Sequence, residues 1–268
     1  MKKEQYERQS FLGPEAQDIF ENTRIGLIGL SGGGSHIAQQ AAHIGFKNFA
    51  LFDPQRISRS NLNRLVGASE DDVLAELPKV DIADRVIKAV QPDAVVEKRM
   101  ARWQDEPDLF RSCDLLIGCM DSYLRRHEME VSARRYMIPV IDIGMDVHEY
   151  EERKCSISGQ IILSLPEHPC LTCLGFLTAS KLALEAGKYG AAGSNPQVVW
   201  SNGVLASTAV GIAVELLTNW TSSELPPLYL TYDGKRGLVQ PHPVMSLPQR
   251  PCPHFPIDKV GDPILRPL

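Results

Sequence analysis

The chain has 268 residues, of which 43% are hydrophobic and 23% charged, with a net charge of −5. That length suits one large domain, or one domain with an appendage, and the composition is that of a globular protein. The acidic balance offers no extended basic surface, so neither nucleic acid nor an anionic membrane is expected as a partner.

In chain order, residues 25–30 read as a buried strand and 35–44 as the helix that follows it. Residues 49–52 form a second strand ending at Asp53. Residues 80–90 are amphipathic, with Val80, Ala83, Ile87 and Val90 on one face, and Gln91-Pro92 stops the helix. Strands are predicted over 94–97, 115–119 and 139–143, with a helix over 123–136. This alternation predicts an α/β fold, a Rossmann-like and mostly parallel sheet with helices on both faces. In the second half, 156–165 reads as a strand entering a CxxC. Ser194-Asn195-Pro196 opens a long helix to residue 217, with Asn195 as cap and Pro196 at the first helical position. Its Ala206, Ser207, Ala209, Gly211 and Ala213 permit close packing. Residues 228–232 make a further strand, and eight prolines among the last 28 residues predict an extended tail.

The opening MKKEQYERQS has no apolar segment behind its lysines, so no secretory signal is predicted. The longest apolar stretch, 204–217, contains Ser, Thr, Gly and Glu215 and is too short and mixed to span a bilayer. A cytoplasmic location is expected. The six cysteines do not suggest a disulfide framework: Cys113, Cys119 and Cys155 are scattered, Cys170 and Cys173 form the CxxC, and Cys252 stands alone.

The segment RIGLIGLSGGGSHIAQ breaks from strand to helix through four glycines and a serine. Such a turn presents unpaired backbone N–H groups at the positive end of a helix dipole, a natural cradle for phosphate. Gly29, Gly32 and Gly34 are well placed for it, and Asp53 closes the next strand, where a carboxylate can bind a ribose. NAD and ATP fit this pattern equally, and so does a tight turn that holds nothing. The next stretch discriminates. DPQRISRSNLNRL carries Ser60, Asn61 and Arg64; Lys79 follows in ELPKVDIA, and Asp121 in LLIGCMDSYLRR lies at a later strand end. Reaction at a triphosphate needs cations on the phosphates and a carboxylate for magnesium. Singly, Arg64 and Lys79 read as surface cations and Asp121 as a helix cap; as an ordered set they favour ATP.

These motifs resemble those of the ThiF/MoeB/HesA adenylyltransferases, which are related to ubiquitin-activating enzymes. The resemblance runs from residue 6 to 217 through YERQ, GLSGGGS, DPQRISRSNLNR, Lys79, CMDS, GQIIL, PCLTC and the small-residue helix. It implies an adenylation domain over 1–240, with a nucleotide half over 1–145 and a carrier- and zinc-binding half over 146–240. Residues 241–268 would be a proline-rich tail supplying zinc ligands, and the sheet would end in an antiparallel, zinc-bearing extension. The implied reaction is ATP-dependent adenylation of the C-terminal glycine carboxylate of a ubiquitin-like or sulfur-carrier protein, releasing pyrophosphate. Gly32 would meet phosphate through its backbone and Asp53 would hold ribose. Asn61, Arg64 and Lys79 would bind the phosphates, Asp121 would hold magnesium, and Ser122 would sit beside it. Arg8 matches an arginine that reaches into the partner protomer's site, implying a homodimer. Two positions depart from the pattern: Ser31 replaces a glycine and Leu65 a glutamine.

The resemblance also implies a structural zinc held by two CxxC pairs. Here the second pair has become RPCPHFP, with Cys252 kept and Phe255 in place of the last cysteine. Cys170, Cys173, Cys252 and His254 make a reasonable tetrahedral set, with His242 or His168 as substitutes. Relatives that form a thioester carry a cysteine after the CxxC, whereas 174–251 holds only Cys-free sequence. The chain is therefore expected to hand its adenylate to a downstream enzyme, or to load a hydroxyl, Ser194 or Ser201, as an oxyester. YMIPVIDIGMDV and PCLTCLG resemble members tied to bacterial ubiquitin-like conjugation more than MoeB. The alternatives are a catalytically weak docking module for a ubiquitin-like partner and an NAD-dependent oxidoreductase.

Overall fold

A computed structural model of the chain describes residues 2–151, 154–187, 196–222, 225–248 and 251–256. Among these, eight strands form one sheet: β1 (Arg24–Ile28), β2 (Asn48–Phe52), β3 (Val95–Arg99), β4 (Leu115–Gly118), β5 (Val140–Glu151), β6 (Lys154–Ser164), β7 (Tyr229–Asp233) and β8 (Leu238–Pro241). The helices are α1 (Lys2–Gln5), α2 (Ala16–Asn22), α3 (Gly32–Ile44), α4 (Glu70–Leu74), α5 (Lys79–Val90), α6 (Pro107–Arg111), α7 (Tyr123–Arg135), α8 (Ala179–Gly187) and α9 (Val199–Thr218).

The strand order is β3-β2-β1-β4-β5-β6-β7-β8. The first five strands in that order are parallel, and β6, β7 and β8 continue the sheet antiparallel. Helices cover both faces. Ile37, Ala38 and Ala41 of α3, Ile87 of α5 and Leu205, Ala206 and Ala209 of α9 pack on one side, and Phe110, Met129 and Ala133 on the other. This is the expected α/β architecture with its antiparallel extension. Strand order reverses between β1 and β4, and a crevice opens there beyond the carboxyl ends of the strands.

Several boundaries shift from the sequence reading, α3 starting at Gly32 rather than 35 among them, and three differences bear on the site. β5 runs to Glu151 rather than stopping at 143; past Ile143 the fully buried apolar run ends, Met145 and Val147 being only half-buried and each followed by an exposed polar residue. The long helix starts at Val199 with Val198 as cap, so Pro196 is not its first residue; burial begins only at Ser201 and Asn202. Ser194 and Asn195 lie outside the described residues. The tail is not wholly extended, since Pro243–Ser246 makes a 3-10 turn. At full length α9 is long and apolar enough to cross a membrane, which 204–217 alone is not, yet Leu205, Ala206, Ala209 and Ala213 lie in the core.

Two features position the crevice. Gly29 has φ +87, and a Cβ on Gly34 would lie 1.9 Å from the Gly29 carbonyl oxygen. Only glycine lets the first turn of α3 approach the strand end so closely. The second feature is α7, tied down at both ends. Arg126 donates to Asp142 on β5 and to the Met120 carbonyl. Arg134 donates to the carbonyls of His168 and Pro169 and to Ser164 Oγ, while Glu130 accepts from Ser164 Oγ and the Leu171 amide. One rigid helix thus fixes Asp121 at its start relative to the CxxC loop near its end.

Gly34→Ala should destabilise the fold by about 1–3 kcal/mol through overpacking. Gly211→Ala, on α9 with open space around it, should be neutral or stabilise by up to about 1 kcal/mol. Urea unfolding of the two variants checks the contrast. Burial raises the Asp142 carboxyl to about 6 despite Arg126. The native state therefore holds a proton that the unfolded chain has released above about pH 4, so stability falls as pH rises from about 4 to 6. Asp72 behaves oppositely: Arg85 lowers it to about 2, and its contribution is lost as pH falls from about 4 to 2. Asp142→Asn should reduce the decline between about pH 4 and 6, to which the raised carboxyl of buried Glu130 also contributes, and leave the acid limb intact.

Candidate active site

The crevice at the β1–β4 switch point is a cleft of about 1220 Å³. Gly29, Gly32, Asp53, Asn61, Arg64, Lys79 and Asp121 all line it, so the structure gathers most of the residues named from sequence. Asp53 is held by both oxygens, which accept from the amides of Leu30 and Gln55. A carboxylate has about four lone-pair sites, so this fixes its aim and leaves capacity for a sugar hydroxyl.

Lys79 reaches the cleft because two loops are zipped together. Its amide donates to the Gln55 carbonyl, and Ile57 donates to Leu77. Its ammonium is buried and donates to Gln55 Oε1 at 2.6 Å. Burial lowers its pKa and Arg64 lowers it further, while Asp53 and Asp121 pull it back up. The SNLNR segment is built as a capping turn, with Asn61 Oδ1 accepting from the Ser58 amide. Ser35 Oγ, at the start of α3, accepts from the Val66 amide and pins that segment to the glycine turn. Arg64 donates to the Ser60 carbonyl and to Asn63 Oδ1. Its Nε is buried without a partner, and burial lowers its pKa. Among the described residues neither Lys79 nor Arg64 makes a salt bridge. Ser31 Oγ and Trp103 Nε1 are likewise buried without partners, and both residues line the same cleft.

Other sequence candidates fall elsewhere. Gly34 serves helix–strand packing, and Gly33 lines the cleft instead. Ser60 does not itself line the cleft; its hydroxyl bonds that of Ser58, which does. Ser122 caps α7, accepting from the Arg125 amide. Ser201 is fully buried and does not line the cleft, so its geometry does not suit an acyl acceptor; Ser194 lies outside the described residues. Arg8 is exposed on the turn Glu7–Leu12 and does not line its own chain's cleft. Leu65, in place of glutamine, packs with Ile57 and Ile82.

Sequence reasoning missed Gln55, Ser58, Trp103, Arg126 and Glu185. Gln55 lies within DPQR, two residues past Asp53, but nothing in its spacing announces that it will hold Lys79. Glu185 on α8 accepts from the amides of Tyr123 and Leu124, placing a negative charge on the N-terminus of α7.

A second centre lies at the antiparallel end. Cys170, Cys173, Cys252 and His254 bring one donor atom each within 4.8 Å of one another. The Sγ–Sγ separations for Cys170–Cys173 and Cys173–Cys252 are 3.6 Å, and His254 Nδ1 lies 3.4 Å and 3.3 Å from the first two sulfurs. A tetrahedron with metal–sulfur bonds near 2.3 Å has S–S edges of about 3.8 Å, so the set fits a tetrahedral cation. Phe255 lies under the Arg134 guanidinium, 5.4 Å from its carbon, and the fourth donor is its neighbour His254. His242 is not that donor: it stacks on Tyr229 and accepts from the Val244 amide. His168 does not belong to the cluster either.

The ThiF family model matches residues 3–254. The chain is 27% identical over 165 residues to the SAMP-activating enzyme E1 of Haloferax volcanii, covering 61% of this chain and 57% of that one. It is 25% identical over 253 residues to the sulfur carrier protein ThiS adenylyltransferase of Bacillus subtilis, covering 92% and 70%. Among solved structures, Escherichia coli MccB with MccA-N7isoASN superposes with a TM-score of 0.73 at 19% identity, covering 90% of this chain and 71% of that one, a likeness of fold. On the match across nearly its whole length, the chain belongs to the ThiF family.

Proposed function

We propose that the cleft binds magnesium ATP and that the protein adenylates the C-terminal carboxylate of a ubiquitin-like or sulfur-carrier protein ending in glycine. The observation that carries this reading is the pair of desolvated cations, Lys79 and Arg64, facing one cleft without a carboxylate bonded to either. Buried cations are stable when they meet an anion, and a triphosphate supplies it. Adenylyltransferase names among the relatives support the same chemistry.

In the reaction an oxygen of the carrier's carboxylate attacks the α-phosphorus, the bond to the bridging oxygen of the β-phosphate breaks, and pyrophosphate leaves with that electron pair. Two anions approach, so cations aimed at the phosphates act where charge gathers. Gly32 at the α3 N-terminus lets the backbone touch phosphate, and Asp53 orients the ribose. Asn61, Arg64 and Lys79 hold the phosphates. Asp121 would hold magnesium, which neutralises phosphate charge when bound. Arg8, exposed and not among the residues that line its own chain's cleft, is suited to reach a partner protomer's cleft in a homodimer.

Cys170, Cys173, Cys252 and His254 would hold a structural zinc. The four donor atoms lie within 4.8 Å of one another, a spacing that suits one tetrahedral cation, and binding it would displace the thiol protons. Such a thiolate set suits a reducing compartment, which supports a cytoplasmic location. The product is an adenylate passed to a separate acceptor, in a conjugation or sulfur-transfer pathway.

Magnesium ATP at 100 times its dissociation constant should stabilise the protein by about 2.7 kcal/mol, visible as a thermal shift that Asp121→Ala weakens. A shift with NAD in its place would contradict the reading. Arg64→Ala should lower pyrophosphate exchange with a carrier by about 10²–10³-fold. Mass spectrometry of the native protein should find one zinc per chain. Cys173→Ser should lose it and unfold at lower temperature, whereas His242→Ala should retain it.

A further inference from the structure

The cleft wall carries few amines, thiols and hydroxyls among the described residues, and most are engaged. Lys79 is bonded to Gln55 and belongs to the phosphate site. Desolvation raises the Cys119 thiol and keeps it protonated. Ser58 Oγ bonds Ser60 Oγ and donates to Asn61 Oδ1, and Ser31 Oγ is buried. Burial raises the Tyr123 phenol as well. Lys181, on α8, is the nucleophile that the adenylation chemistry leaves unused.

Its ammonium lies 5.3 Å from the centre of the Tyr123 ring and 4.8 Å from that of Phe176, and donates to the Phe176 carbonyl at 2.8 Å. Among the described residues no carboxylate is bonded to it. Desolvation lowers its pKa, and Arg126, whose guanidinium carbon lies 5.7 Å from the same Phe176 ring, lowers it further. An amine in such a setting sheds its proton more easily than one in water. Its address is set by one further contact. Glu185, one turn along α8, accepts from the Tyr123 and Leu124 amides at 3.1 and 2.8 Å. Tyr123 follows Asp121 by two residues, so this anchor and the ring beside Lys181 both belong to the segment that carries Asp121 into the cleft. No residue over 179–186 is buried, so α8 is seated by these polar and aromatic contacts. The lysine can therefore swing from the Phe176 carbonyl about its own side-chain bonds without disturbing a core.

We propose that Lys181 is an acyl acceptor inside the cleft: when no separate acceptor is present, the protein couples its own adenylated substrate to this amine and carries it as an isopeptide. The proposal rests on the adenylation reading and gives that reading's product a second fate. Lys181 first loses one proton to water. The free amine attacks the carbonyl carbon of the acyl adenylate, and a C–N bond forms. The bond from that carbon to the phosphate oxygen breaks, and AMP leaves with its electron pair. A second proton passes from nitrogen to water, leaving a neutral amide. The adenylate supplies all the driving force, so no further reactant is required. The amide differs in kind from the esters that a hydroxyl or thiol would form, because hydroxylamine does not cleave it.

The probe is the mixed anhydride of acetyl-Gly-Gly with AMP, added to the full chain and followed by peptide mapping in the mass spectrometer. A held amine reacts at an effective concentration far above that of lysines meeting the reagent from solution, so Lys181 should be labelled about tenfold or more above any other lysine. The acetyl-diglycyl adduct should resist hydroxylamine and disappear when a non-hydrolysable magnesium ATP analogue fills the cleft. Lys181→Arg should lose it, with no other lysine taking it up, and should keep the magnesium ATP shift. Labelling spread over the lysines in proportion to their exposure, labelling of Lys181 that the analogue does not block, or no labelling of Lys181 overturns the acceptor while the nucleotide reading stands. Absence of the magnesium ATP shift in the unmutated protein overturns the adenylation reading, and the acceptor with it.

Discussion

A lysine ammonium buried against one neutral amide is the constraint around which the rest of the site is arranged. Lys79 sits at the first position of α5, and its backbone is sewn to the loop that follows Asp53. The same loop supplies Gln55, the one acceptor bonded to the ammonium among the described residues. Burying a cation this way is costly, and the protein tolerates it where an anionic ligand can complete the shell. Arg64, with its orphaned Nε, repeats the situation in the same cleft. The glycine turn adds backbone donors between them. Three independent elements of the chain thus converge on one requirement for negative charge.

The Cys/His cluster and the cleft are mechanically one unit because α7 joins them. Its N-terminal end is held by Arg126 against Asp142 and Met120, and capped from α8 by Glu185. Toward its C-terminal end, Glu130 and Arg134 grip the backbone on both sides of Cys170. Charged side chains used so deep inside a protein fix orientation more than they add stability. The cluster holds the chain's last described segment against the CxxC loop, so a bound cation would also brace Phe255 on Arg134.

The fold was largely legible in the sequence because buried parallel strands are apolar runs and their helices are amphipathic. RIGLI, NFALF and LLIG announce themselves. The outer half of β5 does not, since past Met145, which packs on the core, residues 146–150 are half-buried or exposed. Within the site, residues carried by strand ends and tight turns were found: Gly32, Asp53, Asn61, Arg64, Lys79 and Asp121 all reach the cleft. Those that act through irregular contacts were not. Gln55 and Glu185 matter because of which loop folds over which helix, a property with no period. Ser60, Ser122 and Ser201 show the converse, since a hydroxyl near a motif satisfies a turn, caps a helix or is buried in one as readily as it faces a ligand.

The central claim is that the unmet charge of Lys79 belongs to a triphosphate. Calorimetric titration of unmutated protein and Lys79→Met with a non-hydrolysable magnesium ATP analogue, and with adenosine, tests it most directly. The account predicts that the substitution weakens the triphosphate by about tenfold or more and leaves adenosine unchanged. Equal affinity of both proteins for the triphosphate would contradict it.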